Sequence, residues 1–217
     1  MLTLMLKGGP LMWVIGALGL IALIIFLERL LLYHRSQIHA LDFASGVRNA
    51  LRRGNIPEAI AICDETAGPV AQVVKTVVSL HHLPPAELRE AVQDSARSEV
   101  ARLEKRLVVL ATIAQVAPLL GFFGTVMGMI HMFRVIQEAQ LPSPGQLAGG
   151  VWVALLTTAA GLAVAVPAYV GYNYLVSRVQ QLVLDMEKAA TEIINYLTRR
   201  DEPPAAPTGA PPTAPQP

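Results

Sequence analysis

The chain has 217 residues, of which 53% are hydrophobic and 15% are charged, and its formal net charge is +1. Soluble domains carry about 25% charged residues, so this composition is poor in charge. A single cysteine excludes a disulfide scaffold, and the near-neutral charge leaves no surplus of basic residues for binding a nucleic acid.

The deficit of charge is confined to three apolar runs. No Asp, Glu, Lys or Arg occurs in residues 8–27, 107–133 and 139–177. Because about 20 apolar residues let a helix cross a lipid bilayer, we predict transmembrane helices at residues 11–32, 107–133 and 151–175. The predicted fold is therefore an all-α membrane protein, and a plain soluble enzyme is excluded. No residue pattern indicates a catalytic centre, a metal site or a cofactor site, and we expect none.

The first apolar run is typical of an uncleaved anchor rather than a signal peptide. Only Lys7 is basic ahead of the apolar core, and the core exceeds the roughly 7–15 residues of a signal peptide. Glu28 and Arg29 follow it without a small-residue cleavage pattern. At the end of a span we expect these two side chains to form a local ion pair or to extend to the lipid headgroups.

Residues 34–106 are predicted to be a cytoplasmic helical segment, since helix-ending residues interrupt it and no strand alternation is present. The predicted helix boundaries lie at Gly54-Asn55, with Pro57 in the next first turn, at Gly68-Pro69 and at Leu83-Pro84-Pro85. No further Pro or Gly occurs before Pro118. We therefore predict one helix from about Pro85 through Phe133, which gives the second transmembrane helix a long cytoplasmic extension.

The third transmembrane helix is predicted to continue into the cytoplasm over residues 176–200. A heptad-like apolar seam supports this extension, and it consists of Val179, Leu182, Met186, Ala189, Ile193 and Tyr196. The seam suits packing on the chain's own helices and packing between subunits equally well. Residues 201–217 are rich in proline and contain no aromatic residue, so we predict a disordered tail.

The positions of Lys and Arg predict the orientation in the membrane. Ten of them lie in residues 34–106 and four in residues 176–200, whereas the N-terminus carries only Lys7 and residues 134–150 only Arg134. Cytoplasmic loops carry the excess of Lys and Arg. We therefore predict a periplasmic N-terminus, a periplasmic loop at residues 134–150 rich in Pro and Gly, and a cytoplasmic C-terminus.

Small residues recur at helical spacing in the second and third spans. Such residues let helix backbones approach closely in lipid, where no hydrophobic force drives their association. The predicted packing residues are Pro118, Gly121, Gly124, Gly128, Ala154, Gly161, Ala165 and Pro167.

Thr125 and Thr158 lie on these small-residue faces, and we predict that they line a narrow polar lumen. Thr157 points about 100° away, which favours hydrogen bonding to its own helix or packing. A proton relay through a membrane normally uses an ionisable side chain, and His131 is the strongest titratable candidate in these two spans. Its position at the outer end of span two favours an interfacial role over proton transfer. A partner chain is therefore expected to supply a membrane carboxylate.

At these residues the sequence resembles the ExbB/TolQ/MotA proton-channel family, most closely its ExbB and TolQ branch. The similar segments are P-L-L-G-x-x-G-T-V-x-G-M-I at residues 118–130 and A-L-L-T-T-A-A-G-L-A-V-A-V-P-A at residues 154–168, with F-L-E-R at residues 26–29. The resemblance covers about residues 5–197. Many family members have Glu where this chain has Val153.

The resemblance implies a homopentamer around a central pore in the bacterial inner membrane. It implies a dimer of a single-span ExbD-like partner that carries a membrane aspartate, and a TonB-like energy transducer that reaches the outer membrane. It also implies that Thr125 and Thr158 face the pore. The expected function is that of an ExbB-like subunit of a proton-driven motor. A TolQ-like subunit of an envelope-maintenance system and a non-conducting membrane scaffold are the alternatives.

Overall fold

The computed structural model describes residues 9–35, 40–138 and 143–201, and every regular element within them is an α-helix. The helices are α1 (Pro10–Arg35), α2 (Ala40–Arg52), α3 (Ile56–Glu65), α4 (Pro69–Ser79), α5 (Pro85–Glu104), α6 (Leu107–Glu138) and α7 (Pro144–Asp201). The predicted all-α fold is confirmed. In the described part of the chain, three helical stretches are long and apolar enough to cross a membrane, namely Pro10–Tyr33, Leu107–Glu138 and Ala148–Thr198.

Proline and glycine set the helix boundaries of the segment between α1 and α6 as predicted. Pro57 and Pro69 occupy the first turns of α3 and α4, where the missing amide hydrogen costs no hydrogen bond. The residue before α4 is Gly68, whose φ of 141° favours glycine. Asn55 caps α3, since its side-chain oxygen accepts a 3.3 Å hydrogen bond from the amide of Glu58.

The single helix predicted from Pro85 through Phe133 is wrong, because α5 ends at Glu104 and α6 begins at Leu107. In a continuous helix the carbonyl of Leu103 would accept a hydrogen bond from the amide of Leu107. Instead it accepts hydrogen bonds from the Tyr33 hydroxyl at 2.9 Å and from Arg29 Nη1 at 3.4 Å. Side chains of α1 thus satisfy the end of α5, a contact that the local sequence does not encode.

The loop before the third span is shorter than expected, because α7 begins at Pro144. Proline suits the first turn of a helix, and Gly149 and Gly150 continue as helix. The part of the expected loop at residues 139–142 and the proline-rich tail after Asp201 lie outside the described residues.

The described chain divides into two compact units. One comprises α1, α6, the end of α5 from Glu99 and α7 through Gln181. The other comprises α2 to α4, α5 through Ser98 and α7 from Leu182. In the second unit the seam residues Leu182, Met186, Ala189 and Ile193 are buried within the single chain. The seam of this unit therefore packs on the chain's own helices, and Arg48 of α2 adds a 2.7 Å ion pair to Glu192.

Candidate functional site

The two longest apolar helices, α6 and α7, contact each other through glycines. A Cβ built on Gly161 would lie 2.6 Å from the carbonyl oxygen of Ala117, and one on Gly121 would lie 3.1 Å from the Cα of Thr158. Further along, a Cβ on Gly128 would come within 2.8 Å of the Cβ of Ala154. Backbone meets backbone at these positions, so α6 and α7 are held closer than larger side chains permit.

The remaining predicted packing residues lie around this contact. Ala154 and Ala165 are buried, and Pro118 is half-buried inside α6. Pro167, inside α7, is exposed at the wall of a cavity of about 350 Å³ that α1 and α6 also line. A proline inside a helix removes an amide donor, which leaves the carbonyl four residues earlier without its helical partner. In α6 and α7 these carbonyls are those of Ala114 and Ala163.

Thr157 fills the space beside Gly124. Its side chain is 1% exposed, and its hydroxyl donates to the carbonyls of Ala154 at 2.9 Å and Val153 at 3.1 Å. A Cβ built on Gly124 would lie 2.6 Å from the Cβ of Thr157. Thr157 therefore combines the bonding to its own helix and the packing that its position suggested.

Thr158 and Thr125 are both half-buried in the single chain. The hydroxyl of Thr158 donates across the helix pair to the carbonyl of Gly121 at 3.1 Å, and also lies 3.3 Å from the carbonyl of Ala154 on its own helix. The hydroxyl of Thr125 donates to the carbonyl of Phe122 at 2.6 Å. Gly121 lies one helical turn before Thr125 on α6. Thr158 of α7 therefore contacts α6 about one turn from Thr125.

His131 borders a second cavity, of about 360 Å³, between the first turns of α1 and the helices α6 and α7. Gly124, Gly128, Val153 and Thr157 line the same cavity. Val153 therefore places an apolar side chain where many members of the resembled family have a carboxylate. Among the residues that line this cavity, His131 is the one with a titratable side chain.

Glu28 and Arg29 do not form the expected ion pair with each other, nor does Arg29 extend outward. Consecutive helical residues point about 100° apart, and Glu28 binds Arg106 in the turn between α5 and α6. Arg29 is 7% exposed, and its Nε finds no hydrogen-bond partner. Tyr33 donates to the same carbonyl of Leu103 as Arg29. The sequence analysis missed Tyr33, although its position one helical turn after Arg29 places both side chains on one face of α1.

The described residues contain no group of three or more His, Cys, Asp or Glu side chains arranged to hold a metal ion. Residues 107–133 and 139–177 contain no carboxylate, and their polar side chains include the threonine hydroxyls, the imidazole of His131, the amides of Gln115 and Asn173 and the indole of Trp152. This chemistry suits hydrogen bonding to a group from another molecule.

The model of the MotA/TolQ/ExbB proton channel family matches residues 65–188 of the chain. A biopolymer transport protein ExbB homolog of Methanothermobacter thermautotrophicus is 28% identical over 193 residues, which cover 88% of this chain and 67% of the relative. The Tol-Pal system protein TolQ of Haemophilus influenzae is 38% identical over 102 residues, or 47% and 45% of the two chains. The biopolymer transport protein ExbB of Aquifex aeolicus is 41% identical over 85 residues, or 39% and 57%. The matches thus span between 45% and 67% of these relatives.

Proposed function

The chain belongs to the MotA/TolQ/ExbB proton channel family, and on this premise we propose that it is an ExbB-like subunit of a proton-driven motor in the inner membrane. Family membership makes it a multi-pass membrane protein of a transport complex rather than an enzyme. In the proposed complex, proton flow energises a TonB-like transducer that drives transport across the outer membrane. Its N-terminus lies in the periplasm, and its C-terminus and the helices α2 to α5 lie in the cytoplasm.

The observation that carries the proposal is the absence of Asp, Glu, Lys and Arg from residues 107–133 and 139–177. Proton transfer through a membrane normally uses an ionisable side chain. The chain therefore supplies the wall of the proton path, and a single-span ExbD-like partner supplies the carboxylate. Thr125 and Thr158 are the hydroxyls of α6 and α7 that this partner would meet.

We propose a homopentamer around the partner, with the number of copies taken from what the family resemblance implies. Three transmembrane helices cannot enclose another helix, so several copies are needed. Large apolar side chains on α6 and α7, among them Phe122, Leu155 and Val166, are exposed in the single chain. Neighbouring copies and lipid acyl chains would cover them.

Reconstitution tests this function. The purified chain is placed in vesicles under an imposed pH gradient, alone and with an ExbD-like partner, and an interior dye reports proton flux. We expect background leakage from the chain alone and flux only with the partner. Flux from the chain alone that His131→Ala abolishes would contradict the division of roles. Absence of flux in every combination would favour the non-conducting scaffold.

A TolQ-like role is the second candidate, and the 38% identity to the Haemophilus influenzae TolQ favours it. His131 also follows the span-two motif as it does in TolQ-like chains. The two roles differ in the transducer that the complex engages. Co-purification with a TonB-like protein supports the ExbB-like role, and co-purification with a TolA-like protein supports the TolQ-like role.

A further inference from the structure

The cavity of about 350 Å³ among α1, α6 and α7 is lined by apolar side chains and glycines. Phe26 of α1, Leu110 of α6 and Gly171 of α7 line it together. Leu23 and Ala163, which also line it, are exposed, so the cavity opens to the outer surface of the helices. Such a cavity offers no partners to water, and an acyl chain would gain van der Waals contacts in it.

The helices α1 and α7 run side by side in the same direction along this cavity. A Cβ built on Gly19 would lie 3.0 Å from Val164, and one on Gly171 would lie 2.9 Å from Phe26. The two contacts are seven residues apart on both helices, so the helices advance in step. The residues that follow Phe26 and Gly171 therefore lie beyond the same end of the cavity.

Basic residues outnumber acidic ones beyond that end. Residues 27–33, 103–109 and 172–178 lie within about two helical turns of Phe26, Leu110 and Gly171. We call the charged residues of these three ranges the basic border. It consists of four cations and two carboxylates, namely Arg29, Lys105, Arg106 and Arg178 with Glu28 and Glu104.

Two arginines of the basic border have no carboxylate partner. Glu28 binds Arg106, and neither Arg29 nor Arg178 forms an ion pair with any residue that the structure describes. Arg29 is 7% exposed, and its Nε has no hydrogen-bond partner. Arg178 lies over the ring of Tyr174, 5.2 Å from its centroid. A buried charge without an opposite charge is costly, so this end of the cavity favours an anion.

We propose that the cavity and the basic border bind one anionic phospholipid of the adjacent leaflet. One acyl chain occupies the cavity, and the phosphate lies at Arg29 and Arg178. Basic pockets between transmembrane helices bind anionic headgroups. An acyl chain gains no hydrophobic free energy on leaving other lipid chains, so the headgroup selects the lipid. Phosphatidylglycerol is favoured over phosphatidylcholine, whose ammonium group the unpaired cations repel.

Lipid retention tests the headgroup site. The full chain is reconstituted in vesicles of equal parts phosphatidylglycerol and phosphatidylcholine and extracted in mild detergent, and native mass spectrometry identifies and counts the lipids on each chain. We expect one phosphatidylglycerol per chain. Arg29→Gln and Arg178→Gln should each retain about fivefold less of it. Arg134→Gln is the matched control, since Arg134 is exposed near the opposite end of α6.

A second pair of variants tests the cavity without a change of charge. Ala163→Phe places a ring in the cavity and should displace the acyl chain, so that phosphatidylglycerol is no longer retained. Ala159→Phe adds the same ring one turn earlier at an exposed position of α7 that does not line the cavity, and it should retain lipid as the wild type does. Millimolar inorganic phosphate should displace no phospholipid.

Equal retention of the two lipids would overturn the proposal, as would unchanged retention in Arg178→Gln or in Ala163→Phe. Displacement by inorganic phosphate would show an anion site without an acyl-chain pocket. A stable oligomer without retained phospholipid would show that a neighbouring copy fills the cavity, and it would overturn the proposal as well. If Arg29→Gln does not fold, Arg178→Gln decides. None of these measurements uses proton flux, so the proposed function stands or falls separately.

Discussion

Thr157 occupies the space beside Gly124 that any larger residue at position 124 would need. The Cβ of Thr157 lies 2.6 Å from where a Cβ on Gly124 would stand, and its side chain is 1% exposed. The contact fixes the register of α6 against α7. Thr158, the next residue, is thereby placed so that its hydroxyl meets the carbonyl of Gly121.

Replacing Gly124 with alanine should destabilise the helix pair, because the added methyl group overlaps Thr157. Overpacking of this kind costs about 1–3 kcal/mol. Gly149→Ala is the matched control on α7, since nothing lies within 4 Å of a Cβ at that position. Thermal unfolding in detergent measures both variants, and equal midpoints for the two would contradict the packing role of Gly124.

The double variant Thr125→Val, Thr158→Val should lose proton-driven uptake while keeping its assembly. Each substitution preserves shape, and intramembrane hydrogen bonds average only about 0.6 kcal/mol, so stability should change little. Under the proposed function, two apolar side chains per subunit would then stand along the proton path. Uptake assays in cells with matched protein levels check this, and normal uptake would refute the assignment of both threonines to that path.

Tyr33→Phe should destabilise the protein at the junction between α5 and α6. The hydroxyl of Tyr33 supplies the shorter of the two hydrogen bonds to the carbonyl of Leu103, and loss of such a bond costs about 0.5–1.5 kcal/mol. Arg106→Gln is the comparison, because its pair with Glu28 is about half exposed and exposed pairs contribute about 0.2–1 kcal/mol. Chemical denaturation in mild detergent measures the unfolding free energy of both variants. A larger loss of stability for Arg106→Gln than for Tyr33→Phe would contradict the role given to the Tyr33 hydrogen bond.

Cys63 should react slowly with alkylating agents and should make stability depend on alkaline pH. Burial, with a smaller contribution from the charge of Asp64, raises the pKa of the Cys63 thiol to about 11, and Lys75 opposes the rise. Because the folded pKa exceeds the ordinary 9.0, the contribution of the neutral thiol is complete below pH 9. It is lost as the pH rises through 11.

The unfolding free energy of the wild type and of Cys63→Ala, measured between pH 8 and 11, isolates this contribution of the thiol. The wild type should lose stability relative to Cys63→Ala as the pH rises towards 11. A difference that stays constant over this range would show that the thiol titrates normally. Iodoacetamide labelling of the native protein at pH 8 provides the kinetic check.

The proposed orientation is testable with single cysteines in a Cys63→Ala background. Gly145→Cys and Gln93→Cys both introduce exposed thiols. We expect a membrane-impermeant maleimide to label position 145 in cells with an opened outer membrane and an intact inner one. Position 93 should require lysis, and labelling of position 93 without lysis would invert the topology.

The sequence alone determined the three apolar helices, the all-α fold and most helix boundaries between α1 and α5. Hydropathy over about 20 residues and the effect of proline on a first helical turn act locally, so they can be read from neighbouring residues. The charge-free character of α6 and α7 is likewise a property of the chain itself. The break before Leu107 had no such local signal, since neither Pro nor Gly stands near it.

Tertiary structure decided how the polar groups are satisfied. Arg29 and the Leu103 carbonyl are 74 residues apart, and Thr158 and the Gly121 carbonyl are 37 apart. Spacing along one helix gives the direction of a side chain but not the acceptor that faces it from another helix. An unpaired polar group is costly in apolar surroundings. Tyr33 and Arg29 on α1 therefore donate to the carbonyl at the end of α5, and the carbonyl of Gly121 accepts from Thr158, contacts that only the packing of the helices provides.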